Sequence, residues 1–205
     1  MDGNKLEDTI QPCKLPLPRA TERLMLRIPL PTDATAIQEA LEESFADLHI
    51  WMDWANTLQS LDDTRAVIDR HQTKYKSAED FTVSAFLKDS GQFVLNAGLH
   101  PRNWRVPKFE IGYWCRTSMQ AKGYVTEAVR ELTKAAFYEM AAKRVEIRCD
   151  ARNHRSRRVA ERAGYRLEAK LRYDDRANDG SLRDTLVYVL LSDDFQLESP
   201  SSQTA

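Results

Sequence analysis

Apolar positions along this chain alternate between two periods, and the switch points mark its elements. A period of two, the mark of a strand, runs through Leu24–Ile28, Phe81–Lys88, Gln92–His100, Phe109–Cys115, Arg144–Asp150, Tyr165–Arg172 and Leu182–Leu191. The helical period appears in Ile37, Ala40, Leu41, Ser44 and Leu48, behind Asp33 as a cap. It returns in Val67, Ile68, His71 and Tyr75, behind the capping box Ser60-x-x-Asp63, with His71 read as a core or edge residue. It returns again in Val125, Ala128, Val129, Leu132 and Ala136. Asn153 caps a short helix to Ala163, which Gly164 closes at the left-handed position. Ser90-Gly91 reads as a hairpin turn, Asn178-Asp179-Gly180 joins the last two strands, and Leu48–Ala55 is aromatic and irregular. The order β-α-α-β-β-β-α-β-α-β-β predicts an α/β layer architecture. Residues 1–18, polar and proline-punctuated, read as a flexible lead-in, 19–197 as a single domain, and 198–205 as a disordered tail.

Composition narrows the class. At 205 residues, 42% hydrophobic and 30% charged, the chain is expected to be one soluble globular domain. It has no apolar run of membrane-spanning length and no apolar export signal, so a cytoplasmic location is expected, without membrane partners. Cys13, Cys115 and Cys149 are odd in number and lack metal-ligand spacing, and four scattered histidines form no cluster, so no metal is expected. A net charge of −1 argues against bulk nucleic-acid binding. From Lys143 to Arg176, however, twelve Lys/Arg face six Asp/Glu, either a solvated surface or a basic rim for phosphates or an acidic partner.

The stretch Met119–Glu127 carries the sharpest chemical signal. A strand ending at Cys115 turns abruptly into a helix, which leaves unpaired N–H groups and the positive end of the helix dipole together. Such a terminus takes an anion, usually phosphate, and Gly123 lets the backbone approach it closely. Gln120 and Lys122 add donors. An ordinary β-to-α connection with a tolerated glycine is the plainer alternative.

Gln120-x-x-Gly123-x-Val125 resembles the pyrophosphate loop of the GNAT N-acetyltransferases, with Val125 where Gly or Ala is usual. Glu110-Ile111-Gly112-Tyr113-Trp114, the opening Thr21-Glu22-Arg23-Leu24-x-Leu26-Arg27, and Trp51-Met52-x-Trp54 are similar to the RimJ/RimL-like branch. The likeness runs from about Leu24 to Phe195. It implies a GNAT fold, a mixed central sheet of about seven strands flanked by about four helices. It also implies transfer of an acetyl group from acetyl-CoA to a primary amine by direct attack, the acceptor being a protein N-terminal α-amine or a small amine. Residues Gln120, Ala121, Lys122, Gly123, Tyr124, Val125 and Thr126 would hold the pyrophosphate, Asn153 the pantetheine arm, and Arg158 (or Arg157) the ribose phosphate. Ala160 stands where many members carry a tyrosine, and Ser156 stands where the RimL-like branch has a serine credited with donating to the departing thiolate, which the resemblance implies here too. Glu110, or Asp175 with its neighbour Asp174, would take the amine proton. Trp51, Trp54 and Trp104 would line the acceptor site. Each also has a plainer reading, as a strand-start glutamate, a loop acid, a helix-start serine or packing aromatics. Direct transfer needs no covalent intermediate, so Cys115 and Cys149 are not expected as nucleophiles. The family also allows a homodimer. Two other classes stay in view: an acyl-CoA-binding module without turnover, and a ribosome or nucleic-acid binder using residues 143–176. Thiolate release with an amine panel separates them from an enzyme.

Overall fold

A computed structural model describes residues 12–195 of the chain. Its strands are β1 (Arg19–Ala20), β2 (Leu24–Arg27), β3 (Phe81–Leu87), β4 (Phe93–Asn103), β5 (Lys108–Cys115), β6 (Arg144–Asp150), β7 (Arg166–Arg176) and β8 (Leu182–Leu191). Its α-helices are α1 (Ala34–Trp51), α2 (Leu61–Lys76), α3 (Tyr124–Glu139) and α4 (His154–Arg162). The strands form one mixed sheet of order β1-β2-β3-β4-β5-β6-β8-β7. Every neighbouring pair is antiparallel except β5 and β6. The eighth strand, beyond the seven expected, is β1, whose two residues are too few to show a period.

The sheet is covered on both faces, and the strand sequences record it. β3 reads as an alternating strand, yet six of its seven residues are buried, because helices pack on either side. One apolar cluster joins Phe109, Ile111 and Val145 of the sheet to Val129, Leu132 and Ala136 of α3. The other joins Phe86 and Phe93 to Ile37, Leu41 and Leu48 of α1 and Ile68 of α2. All five positions read as the inner face of α1 are buried. β7, at the sheet's edge, is exposed along nearly its whole length and carries alternating charges, a common guard against edge-to-edge pairing.

The Ser60–Asp63 box forms as read, each residue's side chain meeting the other's backbone N–H. Asp33 does not cap α1. Its carboxylate takes Arg27 in a two-pronged pair at 2.6 and 2.8 Å and accepts the Leu30 N–H at 2.7 Å. A charge-assisted bidentate contact outweighs a single cap bond. Asp175, expected in a loop, lies inside β7, which continues four residues past Arg172.

The lead-in expected to be loose up to residue 18 is packed where it is described. Leu15 is fully buried in the α3-side core, and its carbonyl accepts the Tyr75 hydroxyl at 2.8 Å. The sequence shows one leucine among polar and proline residues, and only the fold supplies its socket. Residues 1–11 and 196–205, which hold the rest of the lead-in and the tail, lie outside the described residues. Among the described residues no helix is long and apolar enough to cross a membrane. Leu15→Ala is expected to cost about 2–5 kcal/mol, the usual cavity cost of such a truncation, read from urea denaturation midpoints; an unchanged midpoint would show the segment to be dispensable.

Candidate active site

The site begins where the sheet stops pairing. β5 and β6 share three residue pairs, Lys108–Arg144, Phe109–Val145 and Glu110–Glu146. β5 then runs on to Cys115 and β6 to Asp150 without further pairing to each other, so the two strands diverge into a cleft. A turn after β5 leads to Ala121 at φ +60° and Gly123 at φ +84°, immediately before α3. Left-handed residues spaced this way turn neighbouring N–H groups to one side and form an anion-binding nest. Among the described residues, no side chain caps α3, and no backbone oxygen outside the helix accepts from the N–H groups of Ala121 to Thr126. A Cβ on Gly123 would stand 3.3 Å from the Arg23 guanidinium, so the concavity is one that a side chain would fill.

Arg23 holds this loop. It donates to the Lys122 carbonyl at 3.0 Å, pairs with Glu127 and lies over the Tyr124 ring at 4.5 Å. Burial works to raise the Glu127 carboxyl, but bonds from Thr21 and Arg23 outweigh it, so Glu127 titrates below the ordinary glutamate range. Gln120 does not point into the nest. Its amide reaches Asp47 of α1 at 3.3 Å, and its carbonyl accepts from Arg155 of α4 at 2.7 Å, which links the two sides of the cleft.

Across the cleft, Asn153 caps α4 by accepting the Ser156 N–H at 3.0 Å. Ser156 Oγ lies 2.8 Å from the hydroxyl of Tyr113 on β5. Ala160 is buried, as its apolar side chain requires, but a tyrosine hydroxyl reaches Ser156 from the strand instead. Burial pushes the Tyr113 phenol well above its ordinary value against the smaller opposing effect of Ser156, so it is protonated at neutral pH.

A cavity of about 440 Å³ lies on the opposite face of β5, between that strand, β3, β4 and helices α1 and α2. Ile37, Leu41, Trp54 and Trp114 form its apolar walls, and Arg70, His71 and His100 supply its polar ones. It reaches Gly112 and Tyr113, so β5 separates it from the Tyr113–Ser156 hydroxyl pair. The His100 ring has room over the sheet because β4 and β5 each offer a glycine there. A Cβ on Gly98 would come within 2.3 Å of the ring, and one on Gly112 within 3.2 Å of Nε2. His100 Nδ1 is hydrogen-bonded to Asp80, whose other oxygen accepts from Thr82 at 3.1 Å. Burial works to raise the Asp80 carboxyl, but His100 and Thr82 prevail and hold it below the ordinary aspartate range. Burial depresses His71, with Arg70, His100 and Lys74 acting the same way and Asp80 against them.

The remaining expected residues divide. Trp54 lines the cavity, 6.3 Å from Trp114. Trp51, the last residue of α1, is outside its lining, and Trp104 packs edge-on to Phe109 beside the other core. Glu110 accepts from Arg102 at 3.2 Å and lines a separate mixed-charge depression with Lys108, Glu146 and Arg148. Asp175 meets Arg183 at 2.7 Å on the surface; that arginine, then the Arg176 N–H, holds its carboxyl below the ordinary range, so it is a weaker base. Arg158 is exposed on α4. Much of the basic excess is paired internally, as in Arg144–Glu168, Arg148–Asp174 and Lys170–Asp184. Among the described residues no group of three His, Cys, Asp or Glu could hold a metal ion. Arg23, Asp80, His100 and the Tyr113 hydroxyl were not singled out from the sequence. Gly98-x-His100, which faces Glu110-x-Gly112 in the β4–β5 register, was the available signal for the histidine.

A split mixed sheet, a bare helix terminus on one side of the split and an open-mouthed cavity across β5 define the class: the chain belongs to the acetyltransferase (GNAT) domain family, whose model matches residues 23–166. It is an acyl-CoA-dependent N-acetyltransferase of the RimL-like kind. It is 30% identical over 181 residues to "Putative ribosomal N-acetyltransferase YdaF" of Bacillus subtilis (strain 168), with 88% of this chain and 97% of the relative covered. It is 27% identical over 129 residues to the ribosomal-protein-serine acetyltransferase of Escherichia coli (strain K12), covering 62% of this chain and 70% of that one. Its fold matches the ribosomal alpha-N-protein acetyltransferase RimL in complex with coenzyme A, with a TM-score of 0.78 at 20% identity over 85% of this chain and 97% of that one. It also matches the microcin self-immunity acetyltransferase MccE in complex with acetyl-CoA and AMP, with a TM-score of 0.76 at 21% identity over 83% and 93%.

Because burial lowers His71 from its ordinary 6.5, the unfolded chain binds that proton at higher pH than the folded one. The sign follows: stability is full above pH 6.5 and falls as the pH drops below it. Denaturant melts between about pH 7.5 and 5.5 should show this fall in the wild type and a smaller one in His71→Gln; equal slopes would contradict the assignment.

Proposed function

We propose that the acceptor is the α-amine of a protein N-terminus, held in the cavity beside Trp54 and His100, and that acetyl-CoA lies in the cleft between β5 and β6. The carrying observation is the contiguity of the two compartments across Gly112 and Tyr113. The names of the ribosomal relatives favour a protein acceptor, and the cavity volume falls within the range of small-ligand sites. The donor brings an activated acyl thioester; the protein's own residues orient it and manage protons. The N–H groups from Ala121 to Thr126, with Lys122 and Arg23 beside them, receive the pyrophosphate, while Gln120 ties the loop to α1 and α4. Arg158 reaches the ribose phosphate from α4. The Asn153 amide nitrogen, left over once its oxygen caps α4, meets the pantetheine arm.

Ser156 donates to the sulfur as the C–S bond breaks. The Tyr113 hydroxyl steadies it, and the N-terminus of α4 favours charge developing there. Glu110 and Asp175 both face arginines, and neither lines the cavity. A cytoplasmic location and a homodimer belong to the same reading.

Thiol release from acetyl-CoA, assayed against N-terminal peptides and a panel of small amines, tests the acceptor. Turnover with peptides is expected, and turnover confined to small amines would overturn that part. Gly123→Val should abolish measurable coenzyme A binding by calorimetry, since its side chain enters the nest and its backbone resists φ +84°. Unchanged affinity would remove the loop from the site. Ser156→Ala should lower kcat by about 10²–10⁴, with coenzyme A affinity little changed. Full activity would assign sulfur protonation to water.

A further inference from the structure

We propose that His100 takes the proton from the acceptor amine, with Asp80 as its positioning residue. This rests on the cavity being the acceptor site. Three observations carry it. First, His100 is a cavity-lining base at the face of β5, the strand that separates the cavity from the cleft. A Cβ on Gly112 of that strand would stand 3.2 Å from the His100 Nε2, so the ring edge occupies the space beside that glycine.

Second, its orientation is set. An anionic Asp80 makes Nδ1 the donor, so Nε2 carries the lone pair. Asp80 is itself anchored by Thr82, which holds the imidazole in place beside Gly98. A base, its orienting carboxylate and a fixed tautomer form the arrangement that general-base catalysis uses elsewhere.

Third, the competing groups are spoken for. The Glu110 carboxylate, opposite His100 in the β4–β5 register, is held by Arg102, and Asp175 lies on the surface with Arg183. The charged and titratable groups around the imidazole are Asp80 just before β3, Arg70 and His71 on α2 (with Lys74 acting on His71), and Arg102 and Glu110 on β4 and β5. His71, held neutral by burial, adds no positive charge beside an arriving ammonium group.

The step balances. The ammonium gives one proton to His100 Nε2, which passes it to solvent. The freed nitrogen pair forms the C–N bond to the acyl carbon. The C–S bond breaks with its electron pair on sulfur, which gains a proton from the Ser156 side. The second proton lost by nitrogen restores that donor through solvent.

The test measures kcat and KM across pH for wild type, His100→Gln, Asp80→Asn and Glu110→Gln, using whichever amine the wild type acetylates. Calorimetric coenzyme A affinity and thermal midpoints accompany each. His100→Gln should lower kcat by about 10²–10⁴ with coenzyme A affinity retained, and its rate should rise with pH only as the free amine itself deprotonates. Asp80→Asn should also lower kcat with affinity retained, and it carries the test if His100→Gln does not fold. A wild-type pH profile in His100→Gln and Asp80→Asn, or loss of the rise in Glu110→Gln alone, would overturn the proposal. If the wild type refuses every peptide but accepts a small amine, the protein-acceptor reading fails while His100 is still tested on that amine.

Discussion

The parting of β5 and β6 is the constraint on which the rest depends. Parallel strands joined by a crossover helix would ordinarily hydrogen-bond along their shared length. Here pairing ends at Glu110 and Glu146, and the backbone beyond must find other partners or face a ligand. The order β5–α3–β6 makes the parting useful. The turn that leaves β5 arrives at the mouth of the cleft, and α3 begins there with Ala121 and Gly123 in left-handed conformations. On the other lip, α4 begins immediately after β6, so its first turn brings Ser156 to Tyr113. Two helix N-termini and one strand backbone therefore converge on a single gap.

Strand alternation then divides the chemistry between two compartments. Tyr113 points from β5 toward α4 and Ser156, while Gly112 and Trp114 face the cavity under α1 and α2. One strand thus presents a hydroxyl to the cleft and open backbone to the cavity, which the proposed function uses for donor and acceptor. Such a wall lets a nucleophile and a leaving group be served by different residues without those residues meeting. The anchoring is asymmetric too. Arg23 and Glu127 hold the loop to the β1–β2 turn, and the Asn178 side chain donates to the carbonyls of His49 and Met52, which ties the β7–β8 turn to the end of α1. The donor loop and the acceptor wall are fixed from opposite ends of the chain.

The order of elements, the inner faces of α1 and α3, the Ser60–Asp63 box and the glycine of the anion loop were legible because each depends on neighbours within a few positions. Local spacing sets a helical face or a cap, and composition sets a loop's tolerance. Asp33 shows the limit: a residue suited to capping is drawn away when folding brings Arg27 within reach. Leu15 shows it as well, since nothing adjacent marks it as a core residue.

What the sequence alone determined was therefore the architecture and the strand-to-helix turn at Gly123 with its helix, all carried by periodicity and by a contiguous motif. What only the tertiary structure decided was which side chains meet. Asp80 and His100 come together across the β3–β4 hairpin, Tyr113 and Ser156 across the cleft, and Arg23 reaches the Lys122 carbonyl from 99 residues upstream. It also decided which candidates stand apart, since Trp104 falls on the far face and Asp175 binds Arg183. Strand register and sheet splay set these encounters, and both depend on long-range pairing that no local pattern encodes.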